Sequence, residues 1–211
     1  FSAIRYTAGA FFFASVIGDG AQLKIFSTEF LFYAGIFFAV GEVSNMAGVA
    51  MTPFITSKLG KKSTYMYALM LMIVFSCLFF FVPLTSGGYW IMMLLQVLIN
   101  ILTGIISPLV WSMYADNTTS TGLIFSSSSM AQKFGGAIGG SAVTAILAAI
   151  GFSTEASAVQ TESALVWVRS LMSFVPAAVA GLSLFFVSIY PLTTKKMKEI
   201  QSDLEIRRAA K

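Results

Sequence analysis

STYMYALMLMIVFSCLFFFVPL, residues 63–84, carries no charged side chain and follows directly on Lys61 and Lys62. As a helix it would be about 33 Å long at 1.5 Å per residue, close to the thickness of a bilayer's hydrocarbon core. In lipid, a single segment satisfies all its backbone polar groups only as a helix. The same pattern recurs on both sides of this stretch. Spans are predicted at about 1–18 (clipped at its start), 30–57, 63–84, 89–114, 122–151 and 164–190. The fold class that follows is an all-α membrane protein whose six transmembrane helices form one bundle. Turn chemistry or charge marks the breaks: Gly18-Asp19-Gly20, Lys58 to Lys62, Ser86-Gly87-Gly88, Asp116 to Thr121, and the polar run Ser153 to Ser163.

Composition points the same way. Hydrophobic residues make up 57% of the 211 and charged residues only 10%, against roughly 25% charged in a soluble domain. So few polar side chains cannot coat a water-soluble globule. Cys77 is the single cysteine and histidine is absent, which removes a disulfide framework and the commonest metal ligand. The chain opens at Phe1 in apolar sequence, with neither an initiator Met nor a basic leader region, and reads as a piece of a longer chain.

Lysine and arginine fix the predicted orientation. With the carboxy terminus inside, Lys58, Lys61, Lys62, Lys195, Lys196, Lys198, Arg207, Arg208 and Lys211 are all inside, and only Lys24 is outside. Both ends of the segment are therefore expected in the cytoplasm, with the protein in the plasma (inner) membrane. Residues 191–211 form the predicted basic amphipathic tail. Met197, Ile200 and Leu204 recur at helical spacing, and Asp203 can pair with Arg207. The tail either lies on anionic lipid or is a solvated end to the last span.

Ionisable groups inside the hydrocarbon are costly and mark sites or pathways. Setting aside loop and tail charges leaves Arg5, Glu42, Lys133 and Arg169. Lys133 lies about 16 Å from the cytoplasmic end of its span, and Glu42 and Arg5 about 18 Å from the outer ends of theirs. Three charges near the midplane imply either a hydrated cavity that takes a solute or an ion-pair cluster that locks the packing. Arg169, near a span end, is expected to reach the headgroups. Ser126, Ser129, Lys133, Gly136 and Gly140 share one face of the fifth span, flanked by Ser128 and Gln132. Such a face must look into protein or water rather than lipid. The pairs Gly135/Gly139 and Gly136/Gly140 suit close helix packing. Asn100 and Thr103 are weaker polar candidates for solute contact or helix bridging. Trp111 and Tyr114 suit either an interfacial aromatic belt or sugar stacking. Pro108 predicts a kink below Gly104, and Asn45 a helix bridge. Enzyme chemistry and nucleic-acid binding find no support: the serine run lacks a base, and no phosphate-cradling loop follows a strand.

Pro53-Phe54-Ile55-Thr56-Ser57-Lys58-Leu59-Gly60-Lys61-Lys62 resembles the loop between helices eight and nine of a major facilitator transporter. Trp111-Ser112-Met113-Tyr114-Ala115-Asp116, then Thr121-Gly122-Leu123-Ile124-Phe125-Ser126-Ser127 and Ala131-Gln132-Lys133-Phe134-Gly135-Gly136, are more specific. They resemble the glycoside-pentoside-hexuronide:cation symporter family, which includes the melibiose permeases. Arg5 to Gly18 and Tyr190-Pro191-Leu192-Thr193 fit the same family's seventh helix and exit from the twelfth.

The resemblance implies that this chain is the carboxy-terminal six-helix bundle of a twelve-helix major facilitator fold. It implies sugar or glycoside symport, uronides included, with sodium or a proton by alternating access. Lys133 takes the family's sugar-site lysine position, and Ser128, Ser129 and Gln132 its neighbours. The tenth-helix position at which some members present an aromatic falls on Ser107. Together with the residues singled out by depth and polarity, the expected solute-binding set is Lys133, Gln132, Ser129, Ser128, Arg5, Asn100, Ser107 and Trp111, with Glu42, which matches no family position, as a coupling or charge-balance carboxylate. No cofactor is expected, and the acidic cation ligands belong to the amino-terminal bundle, the expected partner together with membrane lipid. Only Asn117-Thr118-Thr119-Ser120 separates Asp116 from Thr121-Gly122, where the family has about a dozen residues, so either the loop is naturally short or, the preferred expectation, residues are absent there. The rival readings are a non-transporting membrane sensor or subunit of the same fold, and a lipid or lysolipid transporter.

Overall fold

A computed structural model describes residues 1–17, 21–25, 28–32, 34–115, 121–153 and 160–189. The elements are α1 (Ser2–Phe12), extended by a wider π turn (Phe13–Ile17), strands β1 (Ala21–Ile25) and β2 (Thr28–Phe32), then helices α2 to α7. These are α2 (Ala34–Leu59), α3 (Lys61–Phe81), α4 (Ser86–Ala115), α5 (Thr121–Ala149), α6 (Glu162–Met172) and α7 (Phe174–Ile189). Four stretches are long and apolar enough to cross a membrane: Ala34–Leu59, Lys61–Phe81, Ser86–Ala115 and the α6–α7 pair, Glu162–Ile189. Helix α5 is 29 residues long, but its Ser, Gly, Gln and Lys content dilutes its apolar character. The Asp116–Ser120 break, Gly18-Asp19-Gly20 and the tail from Tyr190 lie outside the described residues.

Three boundaries differ from the expected ones. The second span begins at Ala34 rather than 30, because Thr28–Phe32 pairs antiparallel with Ala21–Ile25, setting position 24 opposite position 29. This hairpin is the one departure from an all-helical chain among the described residues. The third span ends at Val82, not at the glycines. Val82 is extended (φ −68°, ψ 126°), as the residue before Pro83 tends to be. Gly87 and Gly88 lie inside the first turn of α4, and a Cβ on Gly88 would fall 1.8 Å from the Pro83 carbonyl oxygen. The last span is broken at Ser173 into α6 and α7. Between α2 and α3 the turn is made by Gly60 at φ +79°, ψ 157°, a conformation essentially reserved for glycine that costs an L side chain about 1–3 kcal/mol.

Small residues hold α2 against α4. Gly41, Ser44, Gly48 and Thr52 form the buried stripe of α2. A Cβ on Gly48 would stand 2.1 Å from Ile101 O, and one on Gly104 2.1 Å from Asn45 O. The two backbones are therefore in contact, as in small-residue packing between membrane helices. Asn45 thus meets α4 through its backbone. Around this pair lie two apolar clusters. One joins α1, α3, α4, α5 and α6 through Phe12, Phe79, Met92, Val143 and Leu171; the other joins α3, α4 and α7 through Leu69, Met72, Ile99 and Ala180.

Candidate functional site

The glycines of α5 divide in two. Gly139 packs on Ile4 (3.3 Å from its projected Cβ) and Gly140 on Thr7 (3.6 Å), whereas Gly135 and Gly136 meet nothing within 4 Å. This docking places the level of Arg5 near Gly139, six residues or about 9 Å along α5 from Lys133.

The three midplane charges accordingly do not meet. Arg5 is 5% exposed. It donates from Nη1 to Met172 O (2.9 Å) and from Nη2 to Gln96 Oε1 (2.7 Å). Its guanidinium also lies over the rings of Phe79 and Phe1, 5.3 and 5.9 Å from their centroids. Arg5 thus sits in the protein interior, where neutral oxygens and aromatic faces take its donors and charge. Glu42 is exposed on α2 and accepts a hydrogen bond from Tyr6 Oη. Lys133 is exposed on α5 and forms no ion pair with Glu42.

What the fold does bring together is a polar wall between α1, α2 and α4. Gln96 and Asn100 are 2% and 6% exposed, and Asn100 Nδ2 donates to Gln96 O at 2.9 Å. Arg5, Tyr6, Gln96, Asn100 and Thr103 line a cavity of about 10 Å³ there, room for roughly one water. Gly41 makes the wall possible: a Cβ there would stand 2.9 Å from both Gln96 Nε2 and Asn100 Nδ2. Tyr6, Gln96 and Gly41 were not singled out from the sequence. Gln96 was the legible one of the three, as an uncharged polar residue within an apolar span.

The remaining expected residues stand apart from this wall. Ser128 and Ser129 are half-buried, and Gln132 and Lys133 exposed, along α5. Ser107 is exposed. Trp111 stacks on Phe125 (5.6 Å between centroids, 8° between planes) and meets Tyr114 edge-on, so one ring face is already occupied. Arg169 donates to Val82 O, the last carbonyl of the α3 turn, and holds Phe80 under its guanidinium. It caps a helix end rather than reaching outward. No group of three or more His, Cys, Asp or Glu that could hold a metal occurs among the described residues.

Long apolar helices packed through glycines, with a buried amide wall and an exposed polar stretch around Lys133 on α5, define a polytopic helical membrane protein. The chain belongs to the MFS/sugar transport protein family, whose model matches residues 2–194. This is a family of transporters, not enzymes. The chain is 29% identical over 187 residues to the glucuronide carrier protein homolog of Escherichia coli (strain K12), covering 82% of this chain and 40% of that protein. It is 25% identical over 208 residues to the putative glycoside/cation symporter YagG of the same organism, covering 94% of this chain and 42% of the relative. The chain thus spans about two fifths of the length of these curated relatives. No solved structure matches it.

Proposed function

We propose that this chain is one six-helix half of a glycoside:cation symporter that works by alternating access in the inner membrane, with both ends of the segment cytoplasmic. The observation that carries the reading is the family match over 2–194, together with relatives named as a glucuronide carrier and a glycoside/cation symporter. In this reading the solute lies between this bundle and an amino-terminal one. Lys133, Gln132, Ser129 and Ser128 supply donors and acceptors from α5, and Asn100 from α4. Trp111 and Ser107 flank the path. An ammonium at Lys133 suits a uronate carboxylate as well as neutral hydroxyls. Glu42, with Tyr6 as its donor, is the candidate carboxylate for cation coupling in this half, by sodium or a proton. The amino-terminal bundle holds the rest of the cation site.

The test is uptake of labelled glucuronides and neutral glycosides by cells carrying the full-length protein or Lys133→Ala. Loss of uptake by more than tenfold, greatest for the uronides, is expected. Undiminished uptake of every accepted sugar removes Lys133 from the site. Counterflow in proteoliposomes separates a symporter from a sensor of the same fold, which would bind solute without exchanging it.

A further inference from the structure

Arg5 is a buried cation that the transport reading does not use, and its partners explain why it is there. In an uninterrupted helix each carbonyl accepts from the N–H four residues on. For Met172 that position is Pro176, which has no N–H. Met172 is itself fully buried, so water cannot satisfy its carbonyl, and such a group left unpaired is strongly disfavoured. The donor that reaches it comes from another helix: Arg5 Nη1, at 2.9 Å.

We propose that Arg5 is a positioning residue, an internal splint that replaces the hydrogen bond Pro176 cannot make and orients Gln96 in the wall of the polar cavity. The guanidinium is a rigid planar fork with five N–H donors, so one side chain serves two acceptors on two different elements. Its first prong closes the break between α6 and α7; its second, Nη2, fixes Gln96 Oε1 as an acceptor at 2.7 Å. With Oε1 held, the amide nitrogen of Gln96 is directed the other way, toward the bare Cα of Gly41. Arg5 therefore ties α1 to α4 and to the broken last span at one point. The Ser173 hydroxyl donates to Arg169 O (2.7 Å) and its N–H to Ser170 O (3.1 Å), while Ser173 O accepts from Ala177 N (3.0 Å), so these three carbonyls at the break are served locally.

The inference does not depend on the symporter reading, because its test needs no solute. Thermal unfolding of the purified full-length protein is compared for wild type, Arg5→Met, Pro176→Ala and the double variant. Arg5→Met is expected to lower Tm by about 5 °C, through an orphaned buried carbonyl. Pro176→Ala restores an N–H four residues from Met172. In the Arg5→Met background it is expected to recover at least half of the loss, while changing wild type little. A generic packing role for Arg5 would show no such rescue. Losses that simply add, with the double variant no more stable than Arg5→Met, would overturn the assignment. If Arg5→Met yields no monodisperse protein, recovery of folded double variant supports the splint and its absence overturns it. A double variant restored in Tm but unable to bind a sugar that the wild type carries would support the splint and add to it a role for Arg5 at the solute. Wild-type protein that carries no sugar would sink the symporter reading and leave this cycle readable.

Discussion

Gly104→Ala tests the α2–α4 contact at its narrowest point. The added Cβ would lie 2.1 Å from Asn45 O and 3.0 Å from both Asn45 C and Val49 N, all backbone atoms of α2. No rotamer change relieves a clash with backbone. Reaching even a 3.0 Å separation requires the two helices to part by about 0.9 Å, since 3.0 − 2.1 = 0.9. Parting them also opens the Gly48–Ile101 contact, where the same 2.1 Å clearance applies. Overpacking of this kind costs about 1–3 kcal/mol, and a backbone obstacle belongs at the upper end. Replacing Gly by Ala inside a helix returns about 1 kcal/mol. The net expectation is a loss of about 2 kcal/mol, or a fall in Tm of about 4–8 °C for a chain of this size. The control is Gly87→Ala, in the first turn of α4, where nothing lies within 4 Å of the new Cβ. It should leave Tm unchanged or raise it slightly. Both are measured on purified full-length protein by fluorescence-detected size exclusion after heating. Gly104→Ala as stable as wild type, or Gly87→Ala equally damaging, would refute the claim that the backbones touch at Gly104.

Two further substitutions probe separate features. Gly60→Ala places an L side chain at φ +79°, ψ 157°, a region essentially reserved for glycine that costs about 1–3 kcal/mol, so Tm should fall by about 2–12 °C; Gly60→Asn gains nothing at this ψ from its tolerance of the left-handed α region and should lose as much, and the same heating series compares the two. Tyr6→Phe removes the hydroxyl that donates to Glu42 while keeping the ring packed 5.1 Å from Phe38; if Glu42 couples transport to a cation, the variant should shift the half-saturating cation concentration for uptake without changing protein abundance, and an unmoved value separates Tyr6 from coupling.

How much of this was legible beforehand depends on which physical signal each feature leaves in the chain. Long apolar runs announce helices directly, and 63–84 falls on Lys61–Phe81 within a few residues. Ends set by a specific residue were less legible. Gly87-Gly88 resembles a turn, yet Pro83 stops α3 first and Gly88 is needed inside α4 for its approach to the Pro83 carbonyl. Counting charges by depth was the weakest step, because depth along a helix says nothing about azimuth or about which neighbour arrives there. Arg5 and Lys133 were placed level by distances counted from span ends. The packing of Gly139 on Ile4 offsets them by more than a helical turn, and Arg5 points at a carbonyl orphaned 167 residues later in the chain. That last relation was nonetheless encoded. An arginine early in an apolar helix needs an uncharged acceptor, and a proline in another apolar helix leaves one spare four residues upstream. Read as complementary deficits, a buried donor and a missing N–H are a stronger guide to helix pairing than charges matched by sign.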